Sequence, residues 1–139
     1  MGPALFDHFS EFTLHNLLKL AASTKKLISG AAGESARVVA ELISPHRGLI
    51  VVGSFVAEKN VNMRLRAFEC LKLIVERVSG EEKETIHASG HLEKLWESIA
   101  ERMLVKGIGD ANSDIRMYAV SIFQIFQQQN EDLAVTCQK

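Results

Sequence analysis

One nine-residue frame occurs twice in this chain, as Lys59-Asn60-Val61-Asn62-Met63-Arg64-Leu65-Arg66-Ala67 and as Ala111-Asn112-Ser113-Asp114-Ile115-Arg116-Met117-Tyr118-Ala119. Both copies read Asn, three residues, Arg, two residues, Ala, and they lie 52 residues apart. A fainter copy lies 35 residues upstream, where Ile28, Ala32 and Ala36 match Met63, Ala67 and Leu71, and Lys25 stands in the place of Asn60. Recurrence at such intervals is the mark of stacked helical units. Units of this kind bury their apolar faces only against their neighbours. The array therefore works by presenting a row of turns to a large partner rather than by enclosing a reaction centre.

The apolar spacing extends the frame into an all-α solenoid of about three antiparallel helix pairs. Phe6, Phe9, Phe12, Leu14, Leu17, Leu18 and Leu20 set out a first face, broken by Ser23-Thr24-Lys25-Lys26. Leu27, Ile28, Ala31, Ala32, Ser35, Val38, Val39 and Leu42 recur at three and four up to Ser44-Pro45, where the proline is expected to stop the helix. The second pair begins with Leu49, Ile50, Val52 and Phe55, turns at Glu58 to Val61, and continues through Met63, Ala67, Cys70, Leu71, Ile74 and Val75. Its first helix, 48–57, is β-branched enough to read locally as a strand, but the repeat requires a helix. The polar, glycine-punctuated stretch 79–91 is expected to be a connector. The third pair carries Leu92, Leu95, Trp96, Ile99, Met103 and Leu104, turns at Gly109 to Ser113, and continues with Ile115, Ala119, Ile122, Phe123, Ile125 and Phe126. Periodicity then fades, so a frayed tail is expected over 130–139. All three turns should lie on one edge.

With 139 residues, 47% of them apolar, the chain can build one core, and 1–139 is expected to form a single domain. A net charge of −1 gives no global field for nucleic acid or anionic lipid, so charge recognition must come from a local patch. No apolar run approaches the ~20 residues that span a bilayer, so no membrane insertion is expected. Met1-Gly2-Pro3 has neither the basic nor the apolar region of a secretion signal. Cys70 and Cys137, far apart and one within an apolar stripe, fit free thiols in a reducing, cytoplasmic setting. His87 and His91 are four apart, as two zinc ligands on a helix would be, but Ser89-Gly90 between them disfavours a helix and no third ligand completes a site. With no phosphate-cradling loop and no paired nucleophile and base, neither catalytic residues nor a metal or other cofactor is expected. The chain is not expected to be an enzyme.

Helix pairs whose second helix opens Asn-x-x-apolar-Arg-x-x-Ala resemble HEAT repeats. Glu58-Lys59-Asn60 with Arg64-Leu65-Arg66-Ala67-Phe68-Glu69, and Gly109-Asp110-Ala111-Asn112-Ser113-Asp114-Ile115-Arg116, are similar to the tumour-overexpressed-gene (TOG) domains of the cytoplasmic linker-associated protein (CLASP) family. The run Leu17-Leu18-Lys19-Leu20, followed by Thr24-Lys25-Lys26-Leu27-Ile28-Ser29, is similar to the fourth repeat of such domains. The resemblance runs from about Phe9 to Gln128 in the family's order. Since a full TOG domain has about six repeats, it implies the C-terminal half of one.

The resemblance implies binding to tubulin or microtubules through the turn edge and a role in microtubule dynamics, with a cytoskeletal location on microtubules, spindle or cilium. By position, Lys25 and Lys26 would be the fourth repeat's contribution and Lys59, Asn60 and Arg64 the fifth's. Tubulin is strongly acidic, so lysines and arginines at helix N-termini have an electrostatic rationale. In the family the sixth repeat usually stops short of the partner, so the turn from Asp110 to Arg116 is expected to be structural. Each residue also has a plainer role. Asn60, Asn112 and Ser113 have the chemistry of helix caps, Arg64 and Arg116 that of an ion pair with an acid on the adjacent turn, Lys25 and Lys26 that of a solvated charge pair, and Trp96 that of a core residue. The rival reading is a HEAT-like scaffold for a non-tubulin partner, which would show an apolar groove along the second helices. A half-domain would also leave an apolar N-terminal face uncapped, through which the chain could self-associate.

Overall fold

The computed structural model describes residues 3–81 and 102–137. They form α1 (Pro3–Leu20), α2 (Lys26–Leu42), α3 (Pro45–Gly53), α4 (Val61–Glu81), α5 (102–108) and α6 (Ser113–Cys137), with no strand among the described residues. The second helices of the three pairs start at Lys26, Val61 and Ser113, which are 35 and 52 residues apart. The frame in the sequence therefore marks helix starts.

Contacts fix the directions. Arg37 meets Glu69, and Arg77 further along α4 reaches carbonyls at the end of α2, so α2 and α4 run parallel. Arg64 meets Asp110 and Lys72 lies over the Tyr118 ring, so α4 and α6 run parallel as well. On the other layer Glu11 pairs with Arg47 and His15 packs on Phe55, making α1 and α3 parallel. Three parallel second helices place the turns at 23–25, 58–60 and 110–112 on one edge, as the repeat spacing predicts.

The core lies between the two layers. Leu14 and Leu18 of α1, Leu49, Val52 and Phe55 of α3 with its flank, Phe68, Leu71, Ile74 and Val75 of α4, Met103 of α5, and Ile115, Ala119 and Ile122 of α6 are buried. A buried aliphatic or aromatic side chain contributes about 1.5–3 kcal/mol, so these helices are held by packing more than by their own propensity.

Two details differ from the expectation, while the β-branched stretch 48–53 is helical, as the repeat requires. Pro45 does not end α2, which stops at Leu42; it occupies the first turn of α3, where a missing N–H costs nothing. The valines and isoleucine of 48–53 sit in that helix because its apolar face packs on α4; a Cβ added at Gly48 would lie 2.7 Å from Ile74. In α2 the buried stripe is Ala32, Gly33, Ala36 and Ala40, while Leu27 is 86% exposed and Val38 and Leu42 also face outward. Small residues let α2 approach α4 closely, and the larger aliphatics face the side on which no described element packs. Phe9 and Phe12 of α1 are likewise exposed.

α4 continues to Glu81, so 79–81, expected as connector, are helical, and α6 continues to Cys137, within the expected tail. The rest of the connector, together with His87, His91 and Trp96, lies outside the described residues.

Candidate functional site

The turn edge is assembled from three helix starts of unequal chemistry. At the first, Lys25 holds the N-cap position with extended backbone (φ −83°, ψ 113°), but an ammonium cannot accept from backbone amides and no side-chain cap forms. The Lys25 amide instead donates to Ser23 Oγ at 3.2 Å, and Ser29 Oγ donates to the Ala21 carbonyl at 2.7 Å. The turn is thus closed by serines. Lys25 and Lys26 are exposed, with no acidic partner among the described residues.

At the second turn Asn60 Oδ1 accepts from the amides of Asn62 and Met63 at 2.9 and 3.1 Å. Its 52-residue counterpart Asn112 accepts from Asp114 and Ile115 at the same two distances. Both are helix caps. The arginines repeat with equal fidelity: Arg64 Nη1 donates to the carbonyls of Glu58 and Lys59, and Arg116 Nη1 to those of Asp110 and Ala111. Each arginine thus clamps the turn that precedes its own helix.

Arg64 does one thing more. Its Nε and Nη2 donate to the two carboxylate oxygens of Asp110 at 2.9 and 3.2 Å, tying the second turn to the third. The side chains are only 18% and 10% exposed. Burial would raise the Asp110 carboxyl, but the Arg64 hydrogen bond, the Asn112 amide and the charges of Arg64 and Arg116 outweigh it and hold Asp110 below the ordinary carboxylate value. With four of its five N–H groups engaged, Arg64 is an internal staple. Among the five edge residues picked out by position, the structure therefore leaves Lys25, Lys26 and Lys59 presented to solvent and uses Asn60 and Arg64 to build the edge. The acid on the adjacent turn that Arg64 could pair with is Asp110, a partner that the sequence reading did not assign. An acid stands six residues ahead of each repeat arginine, as Glu58 and Asp110, and that spacing was the available signal.

The face along the second helices is different again. An open groove of about 290 Å³ is lined by Arg37, Arg66, Glu69, Lys72, Leu73, Glu76 and Tyr118. Glu69 at its floor pairs with Arg37 at 3.1 Å and Arg66 at 3.2 Å, and Lys72 pairs with Glu76. Charged side chains dominate it, with Leu73 and Tyr118 as the apolar part of the lining. Below it, Cys70 is buried, and desolvation with the neighbouring Glu69 charge pushes its thiol up to about 12, leaving no reactive thiolate. Among the described residues no three His, Cys, Asp or Glu side chains group as a metal site, and no helix is long and apolar enough to cross a membrane.

Sequence comparison adds the relationship. The family described as "CLASP N terminal" matches residues 1–134. The chain belongs to the CLASP N-terminal family. It is also similar to Protein STU1 of Gibberella zeae, 31% identical over 126 residues, and to Protein STU1 of Mycosarcoma maydis, 30% identical over 130 residues. These alignments cover 90% and 92% of this chain but 10% of each relative, so the chain spans about a tenth of the length of the curated relatives it matches. A helical-repeat member of the CLASP family thus carries an edge with three outward lysines on a frame tied by Asn60, Arg64 and Asp110.

Proposed function

We propose that this chain is a tubulin-binding, TOG-like HEAT-repeat module that regulates microtubule dynamics at the cytoskeleton, acting by binding and not as an enzyme. The observation that carries the reading is the row of Lys25, Lys26 and Lys59 in a CLASP-family chain: exposed, on one edge, and without acidic partners among the described residues. Unpaired ammonium groups on a rigid frame steer an acidic partner and need not break internal bonds to meet it. Asn60 and Arg64 act on binding indirectly, by holding Lys59 and the second turn in place.

The test is tubulin binding at low salt by the parent chain and by the combined Lys25→Ala, Lys26→Ala and Lys59→Ala variant. Exposed pairs contribute about 0.2–1 kcal/mol each, so the variant should bind several-fold to about tenfold more weakly with its melting temperature unchanged. Equal binding by parent and variant would remove the edge from the function.

A further inference from the structure

We infer that Ser44 is a phosphorylation site for a proline-directed protein kinase, and that the folded chain accommodates the phosphate between Arg47 and Arg77. The site is independent of the tubulin reading. It lies in the link between the first and second helix pairs, at the far end of α2 from the lysine edge.

The sequence carries the first part of the inference. Ser44-Pro45-His46-Arg47 places a proline directly after a hydroxyl and an arginine three residues beyond it. Cyclin-dependent kinases, one branch of the proline-directed class, select that pair. Proline brings no N–H that would be left unpaired beside the acceptor, and acidic side chains of the kinase take the later cation. The chain has two prolines and the other follows Gly2, so this is its single Ser/Thr-Pro step.

The structure carries the second part. Proline biases the residue before it towards extended backbone, and Ser44 is extended, with φ −61° and ψ 138°. It is part-exposed, its hydroxyl forms no helix cap, and that oxygen is not among the buried polar atoms. A kinase must borrow Arg47 from Glu11 and open the first turn of α3, which the Gly48 amide closes on the Ser44 carbonyl at 2.9 Å. That helix has nine residues, too few to hold itself without packing, so opening one terminal turn costs far less than global unfolding.

The fold also suits the product. Arg47 is the third residue of α3, and a side chain at that place faces the N-cap residue, here Ser44. From α4, Arg77 donates to the carbonyls of Ala40, Glu41 and Ile43, bringing a second guanidinium to the residue next to Ser44. The acids nearby are Glu11, the partner of Arg47, and the exposed Glu41. A phosphate between two guanidinium groups gains charge-assisted hydrogen bonds. In the transfer Ser44 Oγ attacks the γ-phosphorus of kinase-bound ATP, its proton passes to the catalytic aspartate of the kinase, and the bond to the β,γ-bridging oxygen breaks to release ADP.

The test incubates the full folded chain, well below its melting temperature, with Mg-ATP and a purified cyclin-dependent kinase, and maps phosphate by mass spectrometry. Ser44 should take up one phosphate, and Ser44→Ala and Pro45→Ala should each lose it. Arg47→Ala should slow uptake several-fold while Arg47→Lys keeps it near the parent, each variant being checked by its melt. A merely structural loss of the Glu11 pair would loosen the turn and speed uptake instead. The phosphorylated chain should melt no lower than the parent, and a fall of several degrees would overturn the place given to Arg47 and Arg77. No phosphate on Ser44, uptake only at other hydroxyls or only near the melting temperature, or faster uptake by Arg47→Ala would overturn the site.

Discussion

At the scale of single residues, the edge separates groups that build it from groups that it displays. Arg64 and Asp110 are builders, and removing either leaves the other half-buried without its counter-charge. Arg64→Ala should cost about 1–3 kcal/mol, read as a fall of several degrees in the melting temperature. Asn60→Ala removes the acceptor of two amides and should cost about 0.5–2 kcal/mol. The staple also has a pH signature. Asp110 in the folded chain titrates below its unfolded value, which lies near 3.9. Its contribution is therefore fully present above that value and is lost as the pH falls through the lower folded-state value. The difference in melting temperature between the parent and Asp110→Asn should shrink as the buffer is taken from pH 6 towards pH 3, a comparison that thermal melts check directly.

Helix packing sets the next group of outcomes. Ala67 and Ala119 occupy one repeat position and are both buried. Ala67→Asp or Ala119→Asp should cost several kcal/mol, because a carboxylate there has no partner; melts within a few degrees of the parent would contradict the register. Two glycines make a finer contrast. A Cβ at Gly107 would stand 2.7 Å from the Phe68 ring and 2.8 Å from Ala119, so Gly107→Ala should destabilise by about 1–3 kcal/mol through overpacking. Gly30 lies within α2 with nothing within 4 Å of an added Cβ, so Gly30→Ala should stabilise by about 0.5–1 kcal/mol. Opposite shifts in the two melts are the expected result.

For the molecule as a whole, two layers of helices expose one edge of turns and leave apolar side chains on the outer face of the first pair, where Phe12 is 70% exposed. The lysine edge predicts salt sensitivity: tubulin binding should weaken steadily from about 50 to 200 mM salt, since exposed charges are screened over about 8–10 Å. The exposed face of α1 and α2 predicts something separable, self-association that strengthens with salt or persists through it, readable by sedimentation at several protein concentrations. Binding that rises with salt would assign the tubulin contact to the apolar face instead of the edge.

The sequence alone determined the repeat. Helix starts at Lys26, Val61 and Ser113, the capping asparagines, the buried alanines and the shared edge all follow from spacing, because capping and periodicity are local and each copy obeys the same chemistry. Local signals could not say which repeat residues meet a neighbour. Arg64 and Arg116 are equivalent within 52-residue frames, yet one pairs with Asp110 while the other has no acidic partner among the described residues, since that difference depends on which turn stacks beside which. Nor could periodicity separate the alanine stripe of α2 from its leucines and valines, because both are apolar and recur at helical spacing. Close approach to α4 chose the smaller side chains. The tertiary structure thus decided which charges are satisfied within the fold and which stay exposed.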